Sequence, residues 1–573
     1  MTNKQLKELK ARLWKGADLL RANSGLKSTE YATPILGLIF LRFAEGKYSQ
    51  YEAAINDEFK KNKGTRIERP IHEIAIEKCG FYLPPEAKFE YLLNQPESAD
   101  LAKLTKEAME LLEKYTAELA DTLPKDIYYS VNSDDDPLVL AKLFKVFKDI
   151  PTDVSLDIFG EIYEYFLGEF ALAEGQGGGE FFTPSTVVRY MVEVLAPTEG
   201  RILDPACGSG GMFVQTAHYI EHHGKKGNDI NLRAYGVEKT GATVRLAKMN
   251  LVLNNVRGTI TEANSYYRDP YETFGNFDYV MANPPFNVDE VELDQVKSQP
   301  RFRTYGVPQN KTKKKKGDAK ETVPNANYLW INLFATSLNK KGRAALVMAN
   351  SASDAGNSEK DIRIKLIMSG VISQMVTLPT NMFTSVTLPA TLWFFDNARP
   401  RKDEILFIDA RNIFTQIDRA HRKFSDEQIK NLAIISRLYE GKTDEFRALI
   451  DEYKAALDEA PETSNDDDVK PKAYWQEQID WLLAHFPEGK YADVIGLCKA
   501  AKLDGEDGII DQDYSLNPGR YVGVVIEDDG LTENEFKTEM RGLNAELTKL
   551  NAEAQELERK IAENLRSLVG GDE

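Results

Sequence analysis

The chain is poor in cysteine, in histidine, in long apolar runs and in basic charge. Three cysteines, Cys79, Cys207 and Cys498, lie far apart in 573 residues. That excludes a disulfide framework and a cysteine zinc cluster, and it implies a reducing compartment, the cytoplasm. Six histidines are dispersed, so no metal site is expected. No apolar run approaches the roughly 20 residues that span a bilayer; Pro34 to Leu41 comes nearest. The first ten residues form a polar amphipathic stretch without the apolar core of a secretion signal. Basic residues number 72 against 90 acidic ones, a net charge of −18. A protein that grips nucleic acid unaided usually has a basic surplus. Here either basic patches are local or a partner carries most of such a grip. Hydrophobic content of 42% and charged content of 28% are ordinary for a globular protein. The length allows about three or four domains.

What is present begins with Arg201-Ile-Leu-Asp204-Pro-Ala-Cys207-Gly208-Ser209-Gly210-Gly211. A short apolar run ends on an acid, a glycine-rich turn follows, and an amphipathic stretch from Met212 to Ile220 takes over. The pattern predicts strand, tight loop and helix, the opening unit of a nucleotide-binding α/β sheet. Such loops also occur for steric reasons alone. This one lacks the Lys-Ser/Thr ending that grips nucleoside triphosphates and opens on Asp204, an awkward neighbour for pyrophosphate and a good one for a cation. S-adenosylmethionine, with its amino group and sulfonium, is such a ligand. Further on, Arg233-Ala-Tyr-Gly-Val-Glu238 reads as a second strand ending in a carboxylate suited to ribose hydroxyls.

A third apolar strand, from Phe277, runs into Asn283-Pro284-Pro285-Phe286. The exocyclic amine of adenine is a poor nucleophile because its lone pair is delocalised into the ring. The Asn283 carboxamide oxygen and the Pro284 carbonyl can accept both amine hydrogens, which draws the nitrogen toward a tetrahedral shape. Two prolines fix φ and leave no N–H to compete for those acceptors. Phe286 suits stacking on an extruded base. Methyl transfer from a sulfonium needs no metal and no strong base; alignment is the site's task.

These motifs, in this order, resemble an amino-group DNA methyltransferase. Nearly the whole chain resembles the modification (M) subunit of type I restriction–modification systems. Gly179-Glu180-Phe181-Phe182-Thr183-Pro184-Ser185 matches the family's segment that closes over the methionine end of the cofactor, and 157–167 matches its lead-in helix. Asn325-Ala-Asn327-Tyr328-Leu-Trp330 and Asp513-Tyr514-Ser-Leu-Asn517-Pro518-Gly-Arg520-Tyr521 also fit. The resemblance implies methylation of a flipped adenine in double-stranded DNA. It implies a specificity (S) subunit that reads the sequence, two M subunits to one S, and it leaves open whether a restriction (R) subunit joins. It assigns S-adenosyl-L-methionine to Glu180–Ser185, Asp204, Gly208, Ser209, Gly210, Gly211 and Glu238. Asn264 stands where relatives often carry an acid that contacts the cofactor's adenine.

Along the chain, 1–150 reads as a helical domain, with Leu6, Leu9 and Leu13 at helical spacing, Thr33-Pro34 as a helix start and a helix from Leu101 to Leu123. Residues 151–430 read as the methyltransferase domain, α/β, doubly wound and mostly parallel, seven-stranded by the resemblance. Its last strands, Thr391 onward and Glu404 onward, are expected to form an antiparallel pair at the far edge. Asp204, Glu238, Asn264 and Asn283 fall at carboxyl ends of strands. Between 287 and 325 lie Arg301 and Arg303, then Lys313, Lys314, Lys315 and Lys316. A basic run is commonly a solvated loop; its position after the catalytic turn of an acidic protein suggests DNA phosphate contact. Residues 431–530 connect to a heptad-patterned helix, 531–573, running from Phe536 to Leu568, which needs a partner helix within or between chains; the resemblance implies docking against the helical spacers of the S subunit. The rival readings are a protein methyltransferase acting on glutamine amides, which uses a similar Asn-Pro-Pro-aromatic turn, and a catalytically silent DNA-binding scaffold.

Overall fold

The protein is described from a computed structural model over residues 3–26, 30–151, 162, 165–166, 183–224, 231–309, 321–383, 389–419, 421–464, 469–525 and 532–569. Two compact units emerge, Met1–Gly523 and Val524–Glu573.

The first unit holds the sheet. Its strands are β1 (Gly200–Asp204), β2 (Leu232–Glu238), β3 (Gly258–Glu262), β4 (Phe277–Ala282), β5 (Leu338–Ala349), β6 (Ile372–Thr377), β7 (Ala390–Asp396) and β8 (Glu404–Asp409). A separate small hairpin joins β9 (Thr415–Gln416) to β10 (Arg422–Lys423), and β11 (Cys498–Lys502) returns to the main sheet. The order is β11-β8-β6-β7-β5-β4-β1-β2-β3. Neighbours from β3 to β5 are parallel, β7 lies antiparallel between β5 and β6, β8 is parallel to β6, and β11 is antiparallel to β8.

Two expectations are corrected. Among the described residues the sheet has nine strands rather than seven, because β8 and β11 extend it beyond β6. Nor do the Thr391 and Glu404 strands pair with each other: β6 separates them. Every residue from Ala390 to Phe395 is buried, and a strand apolar on both faces stabilises the sheet most from its interior.

Helices dominate the described part of 1–150. Leu6, Leu9, Leu13, Ala17 and Leu20 are buried along one face of the helix Asn3–Asn23, the stripe that packing requires. The next helix, Ala32–Asn62, starts before Thr33, with Pro34 in its first turn. The helix from Leu101 stops at Tyr115, short of Leu123. Beyond it the chain turns around the Glu113 carboxylate, which accepts the N–H groups of Asp121, Thr122 and Leu123 at 3.2, 3.0 and 2.7 Å. This helical core also takes in Met249, Val252 and Leu253 of the helix Gly241–Leu253. Lys47, 5% exposed, donates there to the carbonyls of Leu253 (2.7 Å) and Val252 (3.5 Å), a cation at the negative end of a helix. The described residues from 431 to 523 belong to the same unit: β11 completes the sheet edge, and Tyr521 stacks on Phe407 of β8 with centroids 3.9 Å apart.

In the second unit the helix Glu533–Val569 carries Phe536, Met540, Leu543, Leu547, Leu550, Leu557 and Ile561, each between 49% and 58% exposed. The side chains of Leu565 and Leu568 lie outside the described residues.

Candidate active site

Asp204 and Glu238 end β1 and β2, Asn283 follows β4, and Asn264 follows β3 by two residues. All four stand at one carboxyl edge of the sheet, as expected. β1 and β4 are neighbours in parallel register, Leu203 against Val280, so the glycine loop and the Asn-Pro-Pro-Phe turn leave adjacent strands side by side.

The loop is built by its own backbone. The Asp204 carboxylate accepts the Ala206 N–H (3.0 Å), Cys207 N–H donates to Val237 O (3.0 Å), and Gly210 N–H donates to Cys207 O (2.8 Å). Gly208 and Gly210 adopt φ of 51° and 80°, a left-handed conformation costly for any residue with a Cβ. A Cβ on Gly210 would approach Leu251 Cδ1 to 2.9 Å, whereas one on Gly208 would meet no atom of the described residues within 4 Å. Glu238 crosses the loop, accepting Gly208 N–H at 3.2 Å and Thr240 N–H at 2.9 Å. Each carboxylate oxygen has a second lone pair for further donors.

The charge of this edge is acidic. Asp204 is 1% exposed, and burial, with the Glu238 charge added, pushes its carboxyl well above the usual range. Burial likewise raises the Cys207 thiol. Cys79, Cys207 and Cys498 are all free and buried. A cation bound beside Asp204 and Glu238 would offset their desolvation and mutual repulsion.

At the turn, Pro284 is buried and the Asn283 carboxamide oxygen is inaccessible to solvent. Phe286, half-buried, touches the hydrophobic cores on both faces of the sheet. The turn's exit, Asn287, has φ of 55° and is tied to Asn325 and Asn327 by hydrogen bonds.

Pro184 precedes the helix Ser185–Leu195, and its carbonyl accepts the N–H of Val187 (2.9 Å) and Val188 (3.1 Å); Thr183 adjoins it. Glu180, Phe181 and Phe182 lie outside the described residues, as does most of 157–167. The Asn264 side chain accepts Tyr266 N–H at 3.0 Å, and its carbonyl accepts Tyr267 and Arg268 N–H, so it organises the turn after β3. Arg301 is a correction. It is 4% exposed, donating to Gln299 Oε1 (2.8 Å) and Arg268 O (3.1 Å), so its guanidinium fastens a loop and is closed to phosphate. Arg303 is exposed, and Lys313–Lys316 lie outside the described residues.

Sequence reasoning missed the supports of the site. Asn250, 6% exposed, donates to Ser209 O at 3.0 Å, and Ser265 Oγ donates to Pro205 O at 2.5 Å. Only the polar Asn250 amid the apolar Met249-Asn250-Leu251-Val252 stretch signalled such a role.

The model of the N-6 DNA methylase family matches residues 154–454, and that of the HsdM N-terminal domain matches 9–147. The chain is 33% identical over 578 residues to the type I restriction enzyme MjaIX methylase subunit of Methanocaldococcus jannaschii, covering 98% of this chain and 91% of that protein. It is 33% identical over 512 residues to the HindI methylase subunit of Haemophilus influenzae, covering 87% and 97%. In fold it is similar to the type I restriction–modification methyltransferase subunit of Streptococcus thermophilus, with a TM-score of 0.63 at 19% identity over 90% of this chain and 99% of that one. With its glycine loop, its Asn-Pro-Pro-Phe turn and identity running along nearly its whole length, the chain belongs to the N-6 DNA methylase family and is an adenine-specific DNA methyltransferase, a type I restriction–modification methylase subunit.

Proposed function

We propose that this subunit transfers a methyl group from S-adenosyl-L-methionine to the exocyclic N6 amine of an adenine flipped out of double-stranded DNA. The observation that carries the reading is the side-by-side exit of the glycine loop and the Asn283–Phe286 turn from β1 and β4. The residues fit the cofactor: open space over Gly208 and two acids at a loop with no basic residue favour a cationic ligand. Glu238 would hold its ribose hydroxyls, Asp204–Gly211 and Glu180–Ser185 its methionine portion, and Asn264 would border its adenine. When bound, it supplies an activated methyl on a sulfonium, with a neutral leaving group.

The protein's own part is positioning. Asn283 Oδ1 and the Pro284 carbonyl accept the two amine hydrogens and direct the nitrogen lone pair away from the ring. Pro285 stiffens the turn, and Phe286 stacks on the base, a contact worth about 1–3 kcal/mol. Arg303 and Lys313–Lys316 would contact phosphates in the cytoplasmic complex. The exposed apolar stripe of Glu533–Val569 supports docking on an S subunit, with two M subunits to one S; an R subunit would be a further partner.

Labelled cofactor tests this. Counts should enter N6-methyladenine in DNA, and Asn283→Ala should lower transfer about a hundredfold or more while cofactor binding persists. Transfer to protein glutamine, or binding of DNA and cofactor without turnover, would overturn the reading.

A further inference from the structure

We propose that Asn327, acting through Asn287, is a positioning residue for methyl transfer; the inference rests on the reading of Asn283–Phe286 as the catalytic turn. Within that turn the two prolines fix φ at 284 and 285, and the exit, Asn287, holds the end of the turn next to Phe286. Its left-handed φ of 55° is one that asparagine tolerates better than most residues.

Asn327 closes on that joint from both sides. The backbone N–H of Asn287 donates to Asn327 Oδ1 at 2.8 Å, and Asn327 Nδ2 donates to Asn287 Oδ1 at 2.9 Å. An N–H can only donate, so the atom facing it is the oxygen, and the amide nitrogen must face Asn287 Oδ1. Asn325 adds a second donor to Asn287 Oδ1 at 3.1 Å and accepts Asn327 N–H at 2.8 Å. Ala326 N–H donates to Val288 O at 2.9 Å, so the two segments are joined along their backbones as well.

The anchor is rigid. Asn327 is 3% exposed and opens the helix Asn327–Ser337, whose residues are all buried. That helix is pinned by Tyr328, whose hydroxyl donates to Ala352 O at 2.7 Å, and by Asn332, which donates to Phe302 O and Gly306 O at 3.1 and 2.7 Å. The pair thus transfers the stiffness of a buried helix to the exit of the turn. Small displacements at a reacting centre cost large factors in rate.

The pair is asymmetric, and that supplies the test. Asn287→Asp keeps an acceptor for both amides and tolerates the left-handed φ. Asn327→Asp removes a donor and sets a carboxylate against Asn287 Oδ1. In the assembled methylase, with unmethylated host DNA and labelled S-adenosylmethionine, Asn327→Asp should lower kcat tenfold or more. The cofactor Kd, measured by calorimetry, should stay within twofold, and Asn287→Asp should keep kcat within twofold. If Asn327→Asp does not fold, Asn287→Gly replaces it: glycine keeps the φ, loses the acceptor, and should show the same loss in kcat alone. Equal losses in the two aspartate variants, cofactor affinity falling together with kcat, or an unchanged kcat in Asn327→Asp (or in Asn287→Gly where it replaces it) would overturn the positioning role. Asn283→Ala separates the two levels: if it retains methylation, the reading of the turn fails instead.

Discussion

Gly208→Ala distinguishes a loop shaped for its own fold from one shaped for a ligand. Gly208 has φ of 51°, and a Cβ added there meets no atom of the described residues within 4 Å. The folding cost is therefore backbone strain alone, about 1–2 kcal/mol for a left-handed residue with a Cβ. In a chain of 573 residues that shifts Tm by on the order of 1 °C. Gly64 supplies the control, with φ of 76° and the same open space, so Gly64→Ala should cost the same in stability. The two should part in cofactor binding. A methyl group on Gly208 takes up volume that a ligand on the loop needs, and overpacking of that kind costs about 1–3 kcal/mol, so Kd should rise by about five- to 150-fold. Calorimetric titration with S-adenosylmethionine measures it. Gly64→Ala should bind as the wild type does. If Gly208→Ala also bound within about twofold of wild type, the reasoning that this space is the cofactor's would fail.

Lys47 should leave its mark on stability at high pH. Burial lowers its pKa to about 8; since the unfolded chain then holds the proton to about 10.4, the unfolded state binds more protons in that window. Stability of the wild type should therefore rise from pH 8 to pH 10, by about 2 kcal/mol relative to Lys47→Met, measured as a difference of denaturation curves; a flat difference refutes it. Replacing Lys313–Lys316 with Ser should flatten the salt dependence of DNA binding by the complex, and an unchanged slope would remove that segment from the interface. Deleting 531–573 should abolish co-purification with the S subunit while calorimetric cofactor binding persists; retained assembly would contradict the docking role.

The legible parts were those where chemistry is local in sequence. Asp204 with its glycines, Glu238 and Asn283–Phe286 each sit on one short segment with a strand before it, and apolar runs ending in polar residues mark carboxyl ends. The illegible parts depended on partners distant in the chain. Arg301 looked like a phosphate contact because its segment is basic, yet Gln299 Oε1 and the Arg268 carbonyl take it into the interior. The strands at Thr391 and Glu404 looked like a hairpin because they are close in sequence, yet β6, earlier in the chain, enters between them.

The sequence by itself determined the candidate edge: which residues end strands, which glycines can turn left-handed, and which carboxamide stands before two prolines, because backbone sterics and side-chain donor sets are properties of a residue and its immediate neighbours. The tertiary structure alone decided the order of the strands, the burial of Arg301, the seat of Lys47 on the helix Gly241–Leu253, and the hold of Asn250 and Asn327 on the two loops. Those depend on which distant surfaces exclude water from one another, and a hydrogen bond across such a surface has no trace in local composition.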